Sequence, residues 1–140
     1  MNYSERELKN VSIYSFNDFV KGSTNMLKKK NEQAVEVREN MRGGTGKVTV
    51  RQYLKPEEIK ARTRLCAELI LSPGASIGAH DHVGEDEIYI IQKGRGIMTD
   101  GEKEFPVAAG DAIVTGQGAA HSIRNTGSED LAVTAIIIKY

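Results

Sequence analysis

The chain has 140 residues, with 19 basic and 19 acidic side chains and a formal charge of zero. That is enough for one domain with a workable core, and it lacks the basic excess of a nucleic-acid-binding surface. The single cysteine, Cys66, excludes an internal disulfide, no apolar signal core follows the polar N-terminus, and no run nears the ~20 apolar residues that span a bilayer. A soluble, cytoplasmic protein without nucleic-acid or membrane partners is expected.

Residues 1–44 read as an N-terminal extension, distinct from a main unit at 45–140. Phe16, Phe19 and Val20 fall at i, i+3 and i+4, the spacing of one helical face. Ser15 is placed to cap that helix, with Asp18 at the capping-box position, and Gly22 ends it. Lys28-Lys29-Lys30 is better read as a solvated face than as a binding patch. Between Asn31 and Glu39 the alternation around Val35 and Val37 is too short to decide between helix and strand.

Arg42-Gly43-Gly44-Thr45-Gly46-Lys47 invites a phosphate-loop reading and fails it. That loop requires glycine where Met41 stands, and Ser or Thr where Val48 stands. A glycine-rich turn leading into a strand from Val48 is expected instead, followed by a helical turn opened by Pro56.

From Thr63 onward the residues predict short strands punctuated by turns. Leu65 to Leu71 is closed by Ser72-Pro73-Gly74, and Lys93-Gly94 separates Glu87–Gln92 from Gly96–Thr99. Asp100-Gly101 is a hairpin dipeptide suited to positive φ. Strands at Ala112–Thr115 and Leu131–Lys139 follow, on either side of Ser122-Ile123-Arg124. This pattern is that of an all-β antiparallel sandwich or barrel. Ile88-Tyr89-Ile90-Ile91 and Leu131 to Ile138 are apolar on both faces, and a small barrel does not cover its own outside. A homodimer is therefore expected.

The chemistry concentrates in His80-Asp81-His82-Val83-Gly84-Glu85-Asp86-Glu87, which holds two of the three histidines of the chain; the third is His121. In an extended segment His80 and His82 share a face, with Cα atoms ~7 Å apart. Val83 to Asp86 turns the chain, and a hairpin then brings Glu87 beside the pair. A single buried histidine is more often structural than ligating, but three in this arrangement point to a metal.

Two motifs in order give the chain its family likeness. The first is Gly74, five residues, His80-x-His82, four residues, Glu87, six residues and Gly94. The second is Gly110, five residues, Gly116-x-Gly118, two residues, His121, three residues and Asn125. In these motifs the chain resembles the cupins, with one departure: Gly116 stands where the family has proline. The resemblance covers roughly 45–140 as one barrel-sized unit. It implies a double-stranded β-helix, or jelly roll, and a homodimer. It also implies a metal held by His80, His82, Glu87 and His121.

Three imidazoles and a carboxylate suit a divalent transition ion such as Mn, Fe, Ni or Zn better than Ca or Mg. Of the rival carboxylates, Asp86 has the wrong parity and Glu85 is assigned to the turn. Four protein ligands saturate a tetrahedral Zn, whereas a six-coordinate ion keeps two adjacent positions open. Tyr89 shares the inward face with Glu87 and is a candidate substrate contact. Arg64 is another, able to hold a carboxylate bidentately, although an exposed edge is the more usual place for arginine. Gln117, in the turn of the second motif, is a third. Cys66 reads as a small buried hydrophobe with no histidine left to activate it.

Two functions remain in view. One is a metal-dependent enzyme acting on a small oxygen-rich metabolite, as an oxygenase, isomerase or decarboxylase. The alternative is a non-catalytic metal-containing module that binds or senses a small molecule.

Overall fold

The computed structural model describes residues 26–140; the helix expected at Phe16 to Val20 lies outside the described residues. The chain divides into two compact units, 1–32 and 33–140, and the second holds all the strands described below. No helix among the described residues is long and apolar enough to cross a membrane.

Among the described residues, ten strands form two antiparallel sheets. One has six strands in the order β1 (Val35–Glu39), β2 (Lys47–Gln52), β3 (Thr63–Leu71), β10 (Leu131–Lys139), β5 (Glu85–Lys93) and β8 (Ala112–Gly116). The other has four, β4 (Ser76–Asp81), β9 (Ala120–Asn125), β6 (Arg95–Thr99) and β7 (Glu104–Ala108). This is the expected jelly roll, and its strands fall close to the spans read from turn chemistry.

The period-two pattern explains the packing. Along β5, residues 85, 87, 89 and 91 are buried while 86, 88 and 90 are half-buried, so one side faces the space between the sheets. Leu69, Leu71, Ile77, Ile91 and Leu131 fill the core with at most 1% exposure each. Burial of such side chains contributes roughly 1.5–3 kcal/mol apiece.

One strand of the six-stranded sheet precedes residue 45. β1 pairs with β2 from Val35 opposite Arg51 to Glu39 opposite Lys47. All five of its residues are exposed, so backbone hydrogen bonding, not side-chain burial, holds it. That is why its short sequence pattern did not reveal it.

The glycine-rich turn before β2 is used structurally. It runs along β4: the Thr45 amide donates to Ser76 Oγ at 2.9 Å, and the Ser76 amide donates to the Thr45 carbonyl at 2.8 Å. Its carbonyl at Arg42 presses so closely on Gly78 that a β-carbon there would overlap it. Asn125, in the second motif, ties loops together. Its side-chain amide donates to the carbonyls of Leu71 and Glu129 at 2.9 and 2.7 Å, and its oxygen accepts from the Gly127 amide at 2.9 Å.

Candidate metal centre

The two sheets bring the three histidines to one place between them. β4 carries His80, His82 follows one residue after β4 ends, β5 carries Glu87, and β9 carries His121. A register shift prepares this arrangement. β4 pairs Ile77 with Ile123 but then His80 with His121, so an extra residue is accommodated around Gly78 and Ala79. Such a bulge reverses the alternation. Without it the inward face that holds Ile77 would present Ala79; with it, the face presents His80.

The donor atoms are close. Glu87 Oε2 lies 2.8 Å from His121 Nε2, 2.9 Å from His82 Nε2 and 3.7 Å from His80 Nε2. His121 Nε2 lies 3.1 Å from His82 Nε2 and 3.2 Å from His80 Nε2. One ligand atom from each of the four residues falls within 4.8 Å of every other. His80 is the most open of them, with 13% of its side chain exposed against 1% for His82 and 3% for Glu87.

The outer nitrogens of the rings explain how the inner ones are disposed. His80 Nδ1 lies 2.8 Å from the Gly78 carbonyl, and His82 Nδ1 lies 2.9 Å from Glu85 Oε1. Both partners only accept, so each Nδ1 carries the proton and, in the neutral ring, each Nε2 turns a lone pair inward. His121 Nδ1 is 2.9 Å from Thr115 Oγ1, a partner that serves either tautomer. Two lone pairs therefore meet an ionised carboxylate in a buried space. Glu87 Oε2 is moreover buried with no hydrogen-bond partner in the structure. Acceptors crowded in this way repel one another unless a cation lies among them.

The spacing fits that cation. Two donors ~2.1 Å from a shared ion stand about 3.0 Å apart at a right angle and about 3.4 Å apart at a tetrahedral one. Three of the separations, 2.8, 2.9 and 3.1 Å, lie nearer the right-angle value, 3.2 Å falls midway, and the 3.7 Å between His80 and Glu87 exceeds both.

Charge in the site is set by its neighbours. Burial pushes the Glu87 carboxyl upward, but positive charge on the imidazoles of His121, His80 and His82 more than offsets this and holds it at about 2; with those rings neutral, a bound cation would take that part. Glu85 is also held at about 2, chiefly by its hydrogen bonds from Arg64. The Tyr89 hydroxyl is pushed well above its ordinary value by burial and by the charge of Glu87.

Each residue singled out from the sequence has a definite place. His80, His82, Glu87 and His121 come together as the resemblance implied. Tyr89 points inward, is 2% exposed and stacks on His121 with ring centroids 5.1 Å apart. Gln117 is exposed in the left-handed region at φ 56°, on the rim of a cavity of about 400 Å³ whose lining includes Thr115 and His121. Arg64 is already engaged: its Nε donates to Glu85 Oε2 at 2.8 Å and a terminal nitrogen reaches Oε1.

Two supporting residues escaped sequence reasoning. Glu85 had been assigned to the turn, but β5 starts at Glu85 itself and directs it inward; its shared parity with Glu87 was the available signal. Thr115 is buried on β8 opposite Glu87, and nothing in its own neighbourhood in the chain distinguished it. At Gly116, the family's proline position, a β-carbon would meet the Asp86 carboxylate, so glycine there makes room for that side chain.

Comparison with known proteins agrees with this geometry. The cupin domain family model matches residues 67–137. An oxalate-binding protein of Thermotoga maritima is 43% identical over 119 residues, covering 85% of this chain and 98% of the relative. A crystal structure from Thermotoga maritima described as a predicted oxalate decarboxylase superposes with a TM-score of 0.78 at 43% identity, over 82% of this chain and all of that one. The polyketide cyclase RemF of Streptomyces resistomycificus, 18% identical with a TM-score of 0.67 over 83% of this chain and 80% of its own, shares the fold alone. Both motifs, the jelly roll and these matches lead to one assignment: the chain belongs to the cupin domain family.

Proposed function

We propose that this chain is a metal-containing binding module for a small dicarboxylate of the oxalate class. His80, His82, Glu87 and His121 would hold one divalent ion, and the three shortest donor separations, near the right-angle value, favour six-coordinate Mn, Fe or Ni over tetrahedral Zn. The observation that carries the reading is the set of inward lone pairs around Glu87 Oε2, buried and without a hydrogen-bond partner. When bound, such an ion would supply the Lewis acidity that attracts the carboxylates of a small dianion.

The protein's own groups favour binding over turnover. Among the described residues, the ionisable side chains beside the cluster are committed: Glu85 to Arg64 and His82, and Tyr89 to its stack on His121. The resemblance to a protein named for oxalate binding supports the same reading. Of the three expected substrate contacts, Tyr89, Arg64 and Gln117, Gln117 keeps that role at the cavity rim, Tyr89 is buried against His121, and Arg64 does not keep it, because Glu85 occupies its guanidinium. The module acts in the cytoplasm as a homodimer.

Metal analysis of protein purified without chelators, followed by calorimetric titration with oxalate, tests the reading. One Mn, Fe or Ni per chain is expected, with oxalate binding that EDTA treatment or Glu87→Ala abolishes. Oxalate binding of equal strength in metal-free protein would overturn it, and release of formate and carbon dioxide would replace binding with decarboxylation.

A further inference from the structure

The three imidazoles are held by three different kinds of partner. A backbone carbonyl, that of Gly78, orients His80, and the neutral hydroxyl of Thr115 orients His121. Only His82 leans on a charged group, Glu85, whose Oε1 lies 2.9 Å from Nδ1. His82 also lies outside any strand, followed by exposed Val83 and by Gly84 at φ 69°. Its main chain is tied to the 116–121 turn, where the His82 amide donates to the Ala119 carbonyl at 3.1 Å and the Gly118 amide donates to the His82 carbonyl at 2.7 Å. The ring itself is oriented by Glu85.

Glu85 is in turn gripped from the far side. Arg64 on β3 presents Nε and a terminal nitrogen to the two carboxylate oxygens, a planar two-point grip that lysine does not reproduce. Glu85 keeps only 9% of its side chain exposed, whereas Arg64 keeps 37%. A chain of contacts therefore runs from a half-exposed guanidinium, through a buried carboxylate, to the imidazole beside Glu87.

We propose that Arg64 and Glu85 are positioning residues for the metal: through Glu85 they fix the ring orientation and tautomer of His82 so that Nε2 faces the ion. This rests on the metal-binding reading above. The carboxylate keeps the proton on Nδ1, raises the donor strength of Nε2 and adds a second negative charge behind the four ligands, while Arg64 holds its plane. Partners of metal-bound imidazoles change affinity by roughly 10–100-fold when removed.

Manganese(II) titration followed by electron paramagnetic resonance of the free ion separates this role from a merely structural one. Glu85→Gln is expected to weaken Mn(II) binding by roughly 10–100-fold, and Arg64→Gln by less, since the carboxylate remains. Glu85→Gln also strands the Arg64 cation, so the double variant Glu85→Gln/Arg64→Gln is decisive. It is expected to regain the thermal midpoint lost in Glu85→Gln yet bind Mn(II) no better, and the visible spectrum of its cobalt(II) form is expected to differ from the parent's. Return of the double variant to parental Mn(II) affinity would overturn the proposal, because Glu85 would then serve only to neutralise Arg64. A parent that binds neither Mn(II) nor Co(II) would instead remove the metal reading itself.

Discussion

Glu85 and Arg64 show how single side chains decide the character of this site. From the sequence, Arg64 was a candidate for holding a substrate carboxylate, and Glu85 was part of a turn. In the structure they hold each other, and the carboxylate that Arg64 binds is the protein's own. The pair also makes a prediction about acid. The Glu85 carboxyl is held at about 2 against an ordinary 4.5, so its contribution to stability is fully present above pH ~4.5 and is lost as pH falls towards 2. Chemical denaturation of metal-free protein across that window should show a decline that is shallower in Glu85→Gln/Arg64→Gln. An unchanged slope would mean that the pair contributes nothing to folding.

Among the elements, β4 matters most for the site. Its bulge changes which residues face inward, and Gly78 is central to it: its carbonyl orients His80, and its missing side chain lets the Arg42 carbonyl pack against the strand. Gly78→Ala is expected to destabilise the protein by about 1–3 kcal/mol, the usual range for overpacking a tight contact, and to weaken metal binding by displacing His80. Urea denaturation and Mn(II) titration of the variant check the two effects. Stability equal to the parent's would show that the glycine-rich turn moves aside freely. Parity read from the sequence gave the right partners for His80 and His82, but with no bulge in the account. The inward face of β4 changes between Ile77 and His80, a step that local pattern does not announce.

Among the described residues, the inner face of the six-stranded sheet is buried, whereas its outer face is half-buried to exposed. Cys66, Ile136, Ile88 and Val114 lie opposite one another on four successive strands and form an apolar row; Val114 is 66% exposed. A second copy of the chain, as proposed above, would cover this row. Sedimentation velocity at micromolar concentration should show a species near twice 15.4 kDa, and Val114→Glu should dissociate it. A parent sedimenting at 15.4 kDa would refute the homodimer.

The sequence by itself determined an antiparallel all-β unit and a histidine cluster, and through the two motifs its resemblance to cupins implied the jelly roll and the four residues of the candidate metal centre. Ligand spacing in both motifs and glycine at the turns are local properties that neighbouring residues specify. Tertiary structure alone decided that β1 joins the barrel, that β4 bulges to aim His80, and that Glu85, Thr115 and Arg64 support the imidazoles. Those facts depend on contacts between residues far apart in the chain, such as Arg64 with Glu85 and Arg42 with Gly78, whose partners no single segment encodes.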